Sequence, residues 1–162
     1  YHTKTNHIAI MGTDTTIKSK SYSKKINALN PKITTIEIAS PLLVPIIEEG
    51  LENTPIANEV SKLYCQKIIN SKVDTLILGC THYPIIEGLL KKILTAKIRL
   101  ISSGEPVAMN LYNYLNKYSL INNNHSGNTQ YYVSDNIEKF QQSASKFLNH
   151  SISDVALHNF KS

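Results

Sequence analysis

Short apolar runs alternate along the chain with longer stretches in which apolar residues recur every three or four positions. Residues 7–11 (HIAIM), 32–39 (KITTIEIA), 73–78 (VDTLIL), 97–101 (KIRLI) and 130–134 (QYYVS) read as strands. Each is short, rich in β-branched or aromatic side chains, and bounded by turn residues. Helical spacing fills the intervals. Thr13 to Thr16 make a hydroxyl-rich turn able to cap a helix running to about Leu29, where Asn30-Pro31 stops it. A proline-punctuated segment, SPLLVPIIEEG (40–50), leads to a helix from about Thr54 to Asn70 with Pro55 in its first turn. Further helices are expected over 84–94, 105–120 and 136–148. A polar loop, NNNHSGN (122–128), precedes the last strand, and 149–162 reads as a weakly ordered tail.

Strands and helices in alternation predict an α/β fold with a mostly parallel sheet flanked by helices on both faces. In such sheets ligands bind beyond the C-terminal ends of the strands. Three polar turns fall at such ends: GTDTT (12–16), GCTH (79–82) and SSGE (102–105). They should converge on one rim.

Composition narrows the field. The chain has 162 residues, 41% hydrophobic and 18% charged, which suits a globular protein able to bury a core. A formal charge of +5 raises the question of nucleic acid, but Arg99 is the one arginine and the lysines are scattered. Base and phosphate readers favour arginine forks and basic stripes, so no nucleic-acid partner is expected. No apolar stretch approaches the ~20 residues of a membrane span, and no secretory signal opens the chain. A soluble, cytoplasmic protein without a membrane partner is the expectation. Cys65 and Cys80 are too few for a disulfide framework and point to a reducing compartment. Zinc fits poorly: Cys80 and His82 are separated by one residue, there is no C-x-x-C pair, and His2, His7, His125, His150 and His158 fall in loops or near the termini. No metal and no cofactor are expected.

The seam LILGCTHYPII (76–86) places a thiol, a hydroxyl and an imidazole where a strand gives way to a helix. Free N–H groups and the positive end of a helix macrodipole favour an anion there, which raises the thiolate fraction of Cys80. His82 can exchange a proton with that thiol or with a bound substrate. Gly79 removes bulk where a ligand would approach. Each residue also has an ordinary reading: a strand-end cysteine as a small core residue, His82 as a structural group at a helix start, Glu48-Glu49 as a solvated helix turn, and the threonines of 13–16 as a cap. Cys65, inside a helical pattern, reads as core filler. What favours chemistry is that one rim carries all the others.

LILGCTHYPII is similar to the second cysteine motif of bacterial glutamate racemases, and ASPLLVPIIEEG (39–50) resembles the segment those enzymes carry upstream of it. HIAIMGTDTTIKSKSYSKKI, ISSGEPVAMNLYNYL and YYVSDNIEKFQQSASKFL resemble the start of their second half, the segment after the cysteine strand, and the closing strand and helix. The similarity covers nearly the whole chain. Aspartate racemases share the cysteine logic but match the flanking stretches less well. The resemblance implies cofactor-independent interconversion of L- and D-glutamate, supplying D-glutamate for peptidoglycan. One cysteine removes the Cα proton and a second delivers one to the opposite face. By motif, Cys80 is the second of these cysteines and His82 assists it. Thr81 holds substrate, and Glu48, rather than its neighbour Glu49, acts near His82. Thr13 and Thr16 correspond to hydroxyls near the substrate carboxylate.

Two departures stand out. Ser102 occupies a position before the SGE turn that is usually acidic in the family. The family's first half, with an Asp-Ser loop and the other cysteine in an Asn-Thr-Ala setting, has no match here. The expected organisation is therefore residues 1–102 as the second α/β domain and 103–162 as a segment that packs on the absent first domain. The chain alone is expected to be inactive. Its expected partners are glutamate and the missing half of the enzyme, with a second copy of the chain as a further candidate. The reading from a different class is a non-catalytic α/β module that binds a small anion at helix N-termini.

Overall fold

The computed structural model describes residues 3–94, 96–123 and 127–159. His2, His125 and the last three residues of the expected tail lie outside them. Two compact units divide the chain, Tyr1–Asn113 and Tyr114–Ser162.

The first unit is built on four strands, β1 (His7–Gly12), β2 (Thr34–Ala39), β3 (Thr75–Leu78) and β4 (Arg99–Ser102), in the order β2-β1-β3-β4. Every pairing is parallel, as the alternation of elements predicts. β1 is apolar almost throughout because both faces of its neighbourhood are covered. On one face Ala9, Met11, Leu76 and Leu78 form a core with Leu43, Ile47, Cys65, Ile68, Tyr83, Ile86 and Leu90. Those residues come from α3 (Leu43–Glu48), α4 (Pro55–Ile69), a 3-10 turn (Tyr83–Ile86) and α5 (Glu87–Ile93). On the other face Ile8 and Ile26 help line a small apolar cavity of about 130 Å³ with Leu29, Ile33, Ile77 and Ile101.

Several elements differ from the expectation. The helix expected from the threonine turn to Leu29 is two helices, α1 (Asp14–Ser19) and α2 (Ser21–Leu29), with Lys20 left-handed at φ 52° between them. Ser19 Oγ donates to the Thr16 carbonyl at 2.7 Å and accepts the Ser21 N–H at 3.2 Å, a local alternative to continuing the helical ladder. Residues 43–48 are helical despite Pro45, which sits in the first turn, where its missing N–H is not needed. The helix expected over 84–94 opens with the 3-10 turn, and α-helical geometry starts only at Glu87. α6 (Gly104–Lys117) ends three residues early; Ser119 is left-handed and the Leu120 N–H closes back onto the Leu115 carbonyl at 2.8 Å.

The second unit contains β5 (Tyr131–Val133), α7 (Ile137–Leu148) and β6 (Val155–Leu157). Asn136 caps α7 by accepting the Lys139 N–H at 2.9 Å. The expectation of a weakly ordered tail is corrected at one stretch: Val155–Leu157 pairs in parallel with β5, and the His158 N–H continues the ladder to the Val133 carbonyl at 2.8 Å. Among the described residues no helix is long and apolar enough to cross a membrane.

Candidate functional site

β1 lies between β2 and β3, so the chain leaves it first toward one edge of the sheet and later returns on the other side. Such a switch point opens a crevice at the C-terminal ends of the two strands. Gly12-Thr13 leaves β1 and Gly79-Cys80 leaves β3 at that crevice. The strand ends are tied by the Gly79 N–H donating to the Met11 carbonyl at 2.8 Å.

Thr13 caps α1. Its Oγ1 accepts the Thr16 N–H at 3.3 Å and lies 3.0 Å from the Thr16 Oγ1. One hydroxyl proton bridges the two oxygens, which leaves a second proton for an outside acceptor such as a carboxylate. The Thr16 methyl packs against Gly12 and Gly79, so the pair stands beside the cysteine turn. Gly79 has a packing reason in the structure. A Cβ there would come within 3.2 Å of both the Met11 carbonyl oxygen and the Tyr22 ring, so the glycine permits strand and helix to close up.

Cys80 is half-buried and free; its Sγ lies 3.8 Å from His82 Nδ1. The other ring nitrogen, Nε2, is 3.3 Å from Glu48 Oε1. A carboxylate only accepts, so the nitrogen facing Glu48 carries the proton and Nδ1 offers its lone pair to the thiol. The three groups form a chain in which His82 can take the Cys80 proton and return it, while Glu48 stabilises the imidazolium. Thr81 is exposed, with its Oγ1 3.5 Å from the same Nδ1, at the limit of a hydrogen bond.

Glu48 reaches His82 because of how α3 ends. The Leu51 N–H donates to Ile46 and the Gly50 N–H to Ile47, at 2.9 and 3.1 Å, with Gly50 at φ 73°. This Schellman closure requires the left-handed residue and leaves Glu48 in the last helical turn. Glu49, the neighbouring carboxylate, is the C-cap.

Cys65 is fully buried in α4, and burial pushes its thiol up to about 11, so it is inert at neutral pH. Sequence reasoning missed Ser40 and Tyr83. Both are fully buried, with their hydroxyls 2.8 Å apart at the ends of β2 and the cysteine turn. Tyrosine at the start of an apolar helical pattern gives little sign of a buried polar role. Among the described residues no group of three or more His, Cys, Asp or Glu side chains is arranged to hold a metal ion.

No family model matches the chain. A glutamate racemase of Caldanaerobacter subterraneus subsp. tengcongensis is 32% identical over 155 residues, which is 96% of this chain and 59% of that protein. The fold superposes on a glutamate racemase isoform from Bacillus anthracis with a TM-score of 0.90 at 30% identity, covering 98% of this chain and 59% of that one. It superposes on the glutamate racemase of Francisella tularensis, solved with D-glutamate, with a TM-score of 0.88 at 30% identity, over 95% and 58% of the two chains. The chain thus spans about three-fifths of the length of the curated relatives it matches. In sequence along nearly all of its length, and in fold over the same span, the chain is similar to about three-fifths of a glutamate racemase.

Proposed function

We propose that this chain is the C-terminal part of a cofactor-independent glutamate racemase and that Cys80 is one of its two proton-transfer thiols. The observation that carries this reading is the Cys80–His82–Glu48 chain at the sheet's switch point. The Cα proton of glutamate is weakly acidic, so the reaction needs a good base on one face and an acid on the other, with roles exchanged in the reverse direction. In one direction His82 takes the Cys80 proton, and the thiolate then removes the Cα proton. A thiol from the part of the enzyme outside this sequence reprotonates the carbanion on the opposite face. In the other direction Cys80 donates its proton to the carbanion and recovers one from His82. Thr81, Thr13 and Thr16 supply hydroxyls to the substrate's polar groups, and the product D-glutamate serves peptidoglycan synthesis in the cytoplasm.

The same reading assigns residues from 103 onward to the first domain of the complete enzyme. Val107, Met109, Leu111 and Tyr112 of α6 are all more than half exposed, and a segment that seats on another domain explains such a face. The test is racemisation measured in both directions. The 162-residue chain alone should give no turnover, and the complete enzyme should lose activity on Cys80→Ser, because a hydroxyl is a far weaker acid than a thiol at neutral pH. Turnover by the isolated chain that disappears with Cys80→Ser would show that one cysteine suffices and would overturn the two-thiol account.

A further inference from the structure

Ser40 and Tyr83 form the one pair of fully buried, mutually hydrogen-bonded hydroxyls seen among the described residues, and they lie directly behind the rim. Ser40 ends the β2 segment; its N–H and its Oγ both donate to the Gly12 carbonyl, at 2.9 and 3.1 Å. That leaves the Tyr83 O–H as the proton donor to Ser40, shared between Oγ at 2.8 Å and the carbonyl at 3.1 Å. The Ser40 carbonyl also accepts the Leu43 N–H at 3.2 Å, which starts α3, the helix that ends in Glu48. On the other side, Tyr83 follows His82 directly, and its N–H donates to the Cys80 carbonyl at 3.3 Å. One buried phenol therefore joins the segment carrying Glu48 to the segment carrying Cys80 and His82.

We infer that the Ser40–Tyr83 hydrogen bond is a positioning clasp that sets the Glu48–His82 contact and, through it, the ability of His82 to draw the proton from Cys80. The inference rests on the proposed role of Cys80 as the proton-transfer thiol. The geometry makes it specific. Glu48 and His82 are both partly exposed, with 42% and 30% of their side chains open to solvent, and they meet at 3.3 Å. Two exposed side chains from separate segments keep one geometry only if the backbones beneath them are fixed. Tyr83 and Ser40 are the buried polar link between those backbones. Burial pushes the Tyr83 phenol up to about 12, with the hydrogen bond to Ser40 acting in the opposite sense, so the group stays a neutral donor at neutral pH.

The test is the rate at which Cys80 of the 162-residue chain is alkylated by iodoacetamide at neutral pH, with buried Cys65 as the silent thiol. Glu48→Gln should slow the reaction by about fivefold, the rate equivalent of one ordinary hydrogen bond. Tyr83→Phe, which removes a single oxygen, should slow it by a similar factor. The double variant should be no slower than the slower single, because both changes break the same relay. Ser40→Ala removes only the Oγ partner and leaves the Tyr83 O–H its bond to the Ser40 carbonyl, so it should slow the reaction less than Tyr83→Phe, with circular dichroism confirming that each variant is folded. An unchanged rate in Glu48→Gln would overturn the relay itself. A slow Glu48→Gln beside a Tyr83→Phe of wild-type rate, or single effects that multiply in the double variant, would overturn the clasp alone.

Discussion

The Gly79 N–H meets the Met11 carbonyl at 2.8 Å, and in the same place a Cβ on Gly79 would stand 3.2 Å from that oxygen. The oxygen belongs to the central strand and is fixed by the sheet, so it cannot yield. Gly79→Ala should destabilise the fold by about 1–2 kcal/mol, the ordinary cost of overpacking. Gly88, near the start of α5, has nothing within 4 Å of the corresponding position. Gly88→Ala should stabilise by about 0.5 kcal/mol through helix propensity. Urea unfolding of the two variants should shift in opposite directions; a shared sign would contradict the packing assigned to Gly79.

Asp74 governs the acid side. Partial burial opposes its ionisation, but the nearby Thr3 hydroxyl together with hydrogen bonds from the Thr5 N–H, the Thr75 hydroxyl and the Lys4 N–H outweighs this and holds the carboxyl well below its usual range. The two amides donate to Oδ2 at 2.8 and 2.6 Å, pinning the segment before β1 to the segment before β3. A depressed folded-state value means stability that is present above the ordinary carboxylate range and lost as pH falls through it. Asp74→Asn should cost about 1 kcal/mol at neutral pH, after allowance for solvent screening of a group this close to the surface. Its acid-unfolding limb below about pH 4 should be correspondingly flatter.

How much of this was legible in the chain varied with the kind of interaction. The four strands of the first sheet were readable because each is an apolar run between turn residues, and their alternation with helices set the parallel topology. The rim was readable for the same reason, since Cys80, His82 and Glu48 flank strand or helix ends. Lys20 was not, because lysine rarely adopts the left-handed conformation and only the hydroxyls of Ser19 and Ser21 favour a break there. Val155–Leu157 was too short a run to register as a strand until a partner was available. Ser40, followed by Pro41, resembles an ordinary turn, and its buried bond to Tyr83 joins residues 43 positions apart.

Cys65 governs the alkaline side. Its thiol lies at about 11 against an ordinary value of 9.0, with burial as the cause. The unfolded chain releases that proton first, so the contribution is complete below the ordinary value and is lost as pH rises toward about 11. Cys65→Ala should lower stability at neutral pH by about 1 kcal/mol through lost packing. The gap from wild type should then narrow as melting is followed upward through that window. A constant gap would show that the thiol does not titrate differently on folding.

The strand order also has a consequence in time. β1 comes first in the chain yet needs β2 on one edge and β3 on the other, and parallel neighbours cannot be joined by a tight hairpin. Each pairing closes a long loop before it is rewarded, which slows folding relative to a fold built from local contacts. Glu48 precedes β3 and His82 follows it, so the two meet only after the β2-to-β3 crossover has been laid down. The contact between Glu48 and the residues beside Cys80 is therefore among the last features of the domain to form.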